Sequence, residues 1–175
     1  MDEATLVAAA QAGDEGAFMQ LVRQHHGRVR GFARQLVGDH QLAEDVAQES
    51  FLRAWQGLAG YRCSGKFSSW LYTITRRTAA DHLRRRTART VPLEEVPALA
   101  DHQGPDPDLR SDLEAALSSL ATDQREAFLL VVLFGLSYKE AAAVVDCAVG
   151  TIASRVCRAR TRLAALLALD GETAR

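Results

Sequence analysis

Between Val149 and Leu163 the chain carries Thr151, Ser154, Arg155, Arg158, Arg160 and Arg162 and no carboxylate. Guanidiniums are planar forks of N–H donors, and with hydroxyls beside them they match the acceptors on phosphates and on the open edges of bases. Thr151, Ser154, Arg155, Arg158 and Arg162 stand at i, i+3, i+4, i+7 and i+11. A helix would gather them into one stripe about 16 Å long, suited to a single major groove and its flanking phosphates. Arg155 and Arg158 are then expected at base edges, and Arg160 and Arg162 at phosphates. A basic helix face is more commonly just solvated, so the elements around the stripe must decide.

Those elements favour a helix-turn-helix. Val149, Ile152, Val156, Ala159 and Leu163 recur at helical spacing on the other side of the segment, which commits that side to packing. Upstream, Asp112–Leu120 and Thr122–Phe134 read as helices, and Gly135 stops the second. Ser137 and Glu140 have the spacing of a capping box, opening a short helix over Tyr138–Val145. Asp146-Cys147-Ala148 makes the turn, Asp being one of the few residues besides Gly that tolerates a left-handed backbone. Two short helices joined by a tight turn, the second bearing the stripe, describe the motif.

A second candidate lies in the first half. Tyr61-Arg62-Cys63-Ser64-Gly65-Lys66 reads as a loop, and Phe67 leads into a helix in which Ser68 or Ser69 is expected to cap the first turn. Aromatic rings beside cations supply stacking for unpaired bases and charge for the backbone, so Tyr61, Arg62, Ser64, Lys66, Trp70, Arg76 and Arg77 form a candidate single-strand surface. Phe67 reads better as core, and Trp70 is open to either reading. A third candidate is the helix near 40–58. Ala43, Val46, Ala47, Ser50, Phe51, Ala54 and Leu58 form its core face, while Asp45, Gln48, Glu49, Arg53 and Gln56 surround a lone Leu52. A polar rim around an apolar anchor is what a partner-binding helix needs, although a solvated face with one stray leucine has the same composition.

The remaining sequence narrows the classes. Strand signals are nearly absent and Ala, Leu, Arg, Gln and Glu dominate, so an all-α fold is expected, with further helices near 3–12, 15–37 and 67–86. All four prolines fall between Thr87 and Leu109. That acidic stretch reads as a linker of 23 residues, able to span roughly 75 Å when extended, between domains at 1–86 and 110–175. Charge is partitioned likewise: 12 Lys+Arg against 9 Asp+Glu in 1–86, 2 against 6 in 87–112, and 7 against 7 in 113–175. Cys63, Cys147 and Cys157 are odd in number and unpaired in spacing, so neither a disulfide framework nor a zinc site is expected. The adjacent His25 and His26 point about 100° apart on a helix and make a poor metal pair. No apolar run is long enough to cross a membrane and the first residues are acidic, so a cytoplasmic chain without leader or membrane insertion is expected. Glu44, Asp45 and Glu49 cluster as nuclease carboxylates do, but no phosphate-cradling loop accompanies them, so no catalytic residue, metal, cofactor or small-molecule substrate is expected.

In order along the chain, these motifs resemble the extracytoplasmic-function (ECF) sigma factors. Gly13-Asp14-x-x-Ala17-Phe18, Gly38-Asp39 and Ala43-Glu44-Asp45-Val46-x-Gln48-Glu49-x-Phe51-Leu52-Arg53-Ala54-Trp55 are similar to the family's region 2, as are Phe67-x-x-Trp70-Leu71-Tyr72-x-Ile74 and Asp81-x-Leu83-Arg84-Arg85-Arg86. Gln124-Arg125-x-Ala127, Gly135-Leu136-Ser137-Tyr138-x-Glu140-x-Ala142, Val149-Gly150-Thr151-Ile152-x-Ser154-Arg155 and Arg158-Ala159-Arg160 are similar to region 4. The resemblance implies a subunit that binds core RNA polymerase and directs promoter-specific initiation. It places Asp45, Gln48, Glu49, Leu52 and Arg53 on the beta-prime clamp helices, the loop and following helix on the melted minus-10 element, and the Arg-rich helix on the minus-35 element. It further implies contact with the beta flap, passage of the acidic linker through the polymerase cleft, and an anti-sigma partner. Departures bear on specificity: Arg77 stands where Asn is frequent, and Ala153 replaces a frequent Lys or Arg, removing about 1 kcal/mol of binding. Ala121 and Ala148 stand where Pro is common, which loosens two turns.

Overall fold

The computed structural model describes residues 2–62, 65–89 and 115–173, with side chains described as far as residue 88 in the second stretch and 166 in the third. Ser64, Cys63 and most of the expected linker lie outside the described residues, and so does the start of the expected helix Asp112–Leu120, which is helical at 115–118. All regular structure among the described residues is helical. The chain divides into two compact units, 1–100 and 101–175.

In the first unit, α1 (Glu3–Gln11), α2 (Glu15–Val37), α3 (His40–Gly57) and α4 (Phe67–Arg89) pack as a bundle, with a 3-10 turn over Leu58–Gly60. Each of the first three helices begins on an aspartate. The carboxylates of Asp2, Asp14 and Asp39 accept the backbone N–H of Thr5, Ala17 and Leu42 at 2.8, 3.0 and 2.8 Å, satisfying donors the helix itself cannot. Gly38 ends α2 in a left-handed conformation (φ 72°), which turns the chain straight into the Asp39 cap of α3. The expected core face of α3 is buried in full, from Ala43 to Leu58. His25 is also buried, its ring against Phe67 and its Nε2 2.8 Å from Glu3 Oε2, so it ties α1 to α2 rather than serving as a ligand. Phe67 is buried as expected, but α4 already starts there. Ser68 and Ser69 therefore sit inside the first turn instead of capping it, and Ser69 Oγ is buried without a hydrogen-bond partner among the described residues.

In the second unit, α5 (Thr122–Phe128) loosens into a π-helical turn over Leu129–Leu133, so the expected helix Thr122–Phe134 is not uniform. The Phe134 N–H reaches the Leu129 carbonyl at 2.9 Å, and Gly135 (φ 71°) then reverses the chain. The helix-turn-helix follows as α6 (Tyr138–Val145) and α7 (Val149–Thr173). The capping box is complete: Glu140 Oε2 accepts the Ser137 N–H at 2.7 Å, and Ser137 Oγ accepts the Glu140 N–H at 3.2 Å. Asp146 adopts φ 59°, ψ 58°, the left-handed conformation the turn required. Ser137→Ala should cost about 1 kcal/mol and lower the midpoint of the second unit's thermal unfolding by about 4–8 °C. An unchanged midpoint in a calorimetric scan would mean that packing alone holds α6.

Ile152, Val156 and Ala159 are fully buried beneath α7, and Leu163 is half-buried. Val149, expected on the same face, is 47% exposed. Side chains lean toward the N-terminus of their helix, so at the first residue of α7 the valine overhangs the turn and finds nothing beneath it. Helix α7 also continues beyond the expected Leu163 to Thr173, because Ala164–Leu169 consists of alanine and leucine alone, both strong helix formers.

Candidate functional site

The buried face of α7 fixes by elimination which residues face outward. At 100° per residue, the direction opposite Ile152, Val156 and Ala159 runs through Ser154, Cys157, Arg158 and Thr161, and all four are exposed. Arg160, Arg162 and Ala153 are exposed beside them, and Arg158, Arg160 and Arg162 make no ion pair among the described residues. Ser154 Oγ donates to the Thr151 carbonyl at 2.9 Å and Thr161 Oγ1 to the Cys157 carbonyl at 3.1 Å, leaving each hydroxyl an acceptor toward the outside. Cys157, a free exposed thiol on this face, is not marked by its polarity; its wheel position relative to the apolar stripe is the available signal. Thr151 and Arg155 lie on the flank, half-buried. Arg155 is occupied: its Nε donates to Asp123 Oδ2 at 3.0 Å, and Nη1 lies 3.9 Å from Cys147 Sγ. It ties α7 to the first turn of α5 and to the turn before it.

The loop between α3 and α4 is anchored from a distance. Gln11 of α1 donates both amide hydrogens across it, to the Leu58 carbonyl at 3.0 Å and the Tyr61 carbonyl at 2.7 Å. Nothing in the sequence marks Gln11, because the partners are backbone atoms 47 and 50 residues away. Tyr61 stacks on Trp70 with ring centroids 4.8 Å apart and planes at 29°, and its hydroxyl donates to the Gly65 carbonyl at 2.6 Å. The two candidate stacking rings thus meet each other, with Phe67 against both. Arg62, Lys66 and Arg77 are exposed, and Arg76 is half-buried.

On α3 the expected rim divides. Asp45 and Gln48 are exposed and Leu52 is 56% exposed, beside an apolar groove of about 410 Å³ between α2 and α3 that Met19, Val22, Phe51 and Trp55 help to line. Met19 is itself 48% exposed, so the apolar surface is wider than the single leucine the sequence suggested. Glu49 and Arg53 instead turn toward α4. Arg53 Nη1 donates to Asp81 Oδ2 at 2.8 Å and Nη2 to Glu49 Oε1 at 2.5 Å, while the other Glu49 oxygen lies 2.6 Å from His82 Nε2. Burial pushes the Glu49 carboxyl up, but hydrogen bonds from His82 and Arg53, with their charge, outweigh it and hold it below its ordinary value. The hydrogen bond from Arg53 likewise lowers the Asp81 carboxyl, against a smaller effect of burial. Carboxylates lowered in the folded state stabilise it above their unfolded values, and that stability is lost as pH falls through the folded ones. The first unit should therefore unfold more readily below about pH 4, and Asp81→Asn should flatten that acid limb in a pH series of thermal melts. A limb of unchanged slope would remove Asp81 from it.

Models of the sigma-70 family match both units in order, region 2 over residues 21–89 and region 4 over residues 110–163. The chain belongs to the ECF RNA polymerase sigma factors. This sigma factor is 38% identical over 166 residues to the ECF RNA polymerase sigma factor SigM of Mycobacterium tuberculosis, covering 94% of the chain and 84% of the relative. To the ECF RNA polymerase sigma-E factor of Haemophilus influenzae it is 34% identical, covering 91% and 92%. Among solved structures, the sigma factor RpoE bound to the anti-sigma factor NepR, from Bartonella quintana, superposes with a TM-score of 0.72 at 37% identity, covering 87% of this chain and 98% of that one. CnrH in complex with the cytosolic domain of CnrY gives 0.71 at 31% identity, covering 95% and 97%.

Proposed function

We propose that this sigma factor docks on core RNA polymerase through Asp45, Gln48, Leu52 and the groove beside them, and reads the minus-35 element with the outward face of α7. Arg158 takes base edges together with Ser154 and Cys157, and Arg160 and Arg162 hold phosphates. Arg155 reaches DNA only on leaving Asp123, so its first task is to seat α7. The loop at 61–66 and α4, with Arg62, Lys66, Trp70, Arg76 and Arg77, engage the melted minus-10 strand. An unpaired base would extend the existing Tyr61–Trp70 stack from its open side. The work is binding rather than covalent catalysis: unstacking costs a few kcal/mol per base and is offset by stacking and backbone contacts. The protein acts in the cytoplasm on its polymerase, and the groove and the face of α7 are surfaces that a protein anti-sigma partner can cover.

The observation that carries this reading is that two sigma regions occur in order, each with its own exposed surface: an apolar groove in one unit and a carboxylate-free helix face in the other. A helix-turn-helix repressor would need only the second. Run-off transcription with core polymerase and a genomic promoter library separates the two readings. Promoter-specific transcripts that require the chain are expected, whereas duplex binding by the chain alone without any such transcript would make it a repressor.

A further inference from the structure

The ion pairs between α3 and α4 use none of the residues assigned above to the docking groove or to the minus-10 surface. Every carboxylate in the set is shared: Glu49 between Arg53 of its own helix and His82 of α4, Asp81 between Arg53 of α3 and Arg84 of its own helix. Elsewhere along the two helices, Ala43 and Val46 of α3 and Ala79 of α4 share a buried cluster with Ala33 of α2, on which Leu36, Val37 and Leu42 pack. Packing of this kind sets the distance between the helices, and their sliding and rotation are further constrained by the ion pairs at the surface. Charge-assisted hydrogen bonds are directional and fix both. Gln48 and Leu52 neighbour Glu49 and Arg53 on α3, and the exposed cations Arg77, Arg84 and Arg85 neighbour Asp81 on α4, Arg84 being one of its partners.

We propose that Asp81 and His82 are positioning residues for promoter opening, locking α4 to α3 so that docking of α3 determines where the basic face of α4 meets the DNA. This rests on the functional reading above and deepens it. Glu49, Arg53, Asp81 and His82 are 18–31% exposed and Arg84 is 75% exposed, so each pair adds at most about 1 kcal/mol, and losing them should move geometry more than folding.

The test is Asp81→Ala/His82→Ala in holoenzyme on a cognate duplex promoter, with unpaired thymines read by permanganate. Opening should fall at least about tenfold, while affinity for core stays within about twofold and the melting midpoint falls by no more than the few degrees that such ion pairs carry. A template carrying a preformed minus-10 bubble should restore transcription. His82→Gln, which keeps a donor at the Nε2 position, should recover opening in the single-site series relative to His82→Ala. Undiminished opening by the double variant would overturn the proposal, and so would core affinity, melting midpoint and opening falling together, which is the mark of a merely structural contact. A wild-type chain that directs no opening with core would instead overturn the sigma reading beneath it.

Discussion

Leu52→Asp should reduce affinity for core RNA polymerase by two orders of magnitude or more, while the free protein keeps its melting midpoint and its folded spectrum. Leu52 is 56% exposed in the free chain, so the carboxylate meets water there and costs the fold almost nothing. In the docked state the same position becomes a central apolar anchor beside Met19, Val22 and Trp55, where an unpaired charge is costly. Losing an anchor of that kind costs about 2–4 kcal/mol before the buried charge is added. Fluorescence titration against core measures this. Equal affinities of Leu52→Asp and wild type would move polymerase docking off this groove.

Arg158→Ala should lower minus-35-dependent initiation about 10- to 100-fold, the value of one good guanidinium contact to a base edge, with core affinity and thermal stability unchanged. Arg155→Ala should also lower initiation, but by a different route. Its partner Asp123 is half exposed, so the pair adds at most about 1 kcal/mol to the unit, and the main loss is the seating of α7 on α5. The two are separable on promoter libraries: Arg158→Ala should relax preference at one base position, whereas Arg155→Ala should weaken every minus-35 element alike. Loss of core binding by Arg158→Ala would mean that α7 faces the polymerase instead of DNA. Relaxed preference from Arg155→Ala rather than Arg158→Ala would restore Arg155 as the reader.

The capping box, the α3–α4 lock and the Gln11 anchor show three degrees of legibility. Ser137 and Glu140 could be paired from their spacing, since a capping box closes within one turn and needs no distant partner. Glu49 and Arg53 could be seen as an i, i+4 pair, but they were placed on the docking rim because their second partners lie 28 and 33 residues on. Gln11 carries no local signal at all, its hydrogen bonds being to main-chain carbonyls across the bundle.

By itself the sequence determined most of the helices, the Ser137–Glu140 cap, the left-handed Asp146 and the buried faces of α3 and of α7 from Ile152 on, because each rests on interactions within a few residues or on a period of 3.6. Only the tertiary structure decided which polar residues remain open. Asp123 occupies Arg155, Asp81 and His82 draw Glu49 and Arg53 out of the rim, and Met19 widens the surface around Leu52. Periodicity tells which way a side chain points from its own helix, whereas its freedom to bind depends on what another helix brings against it.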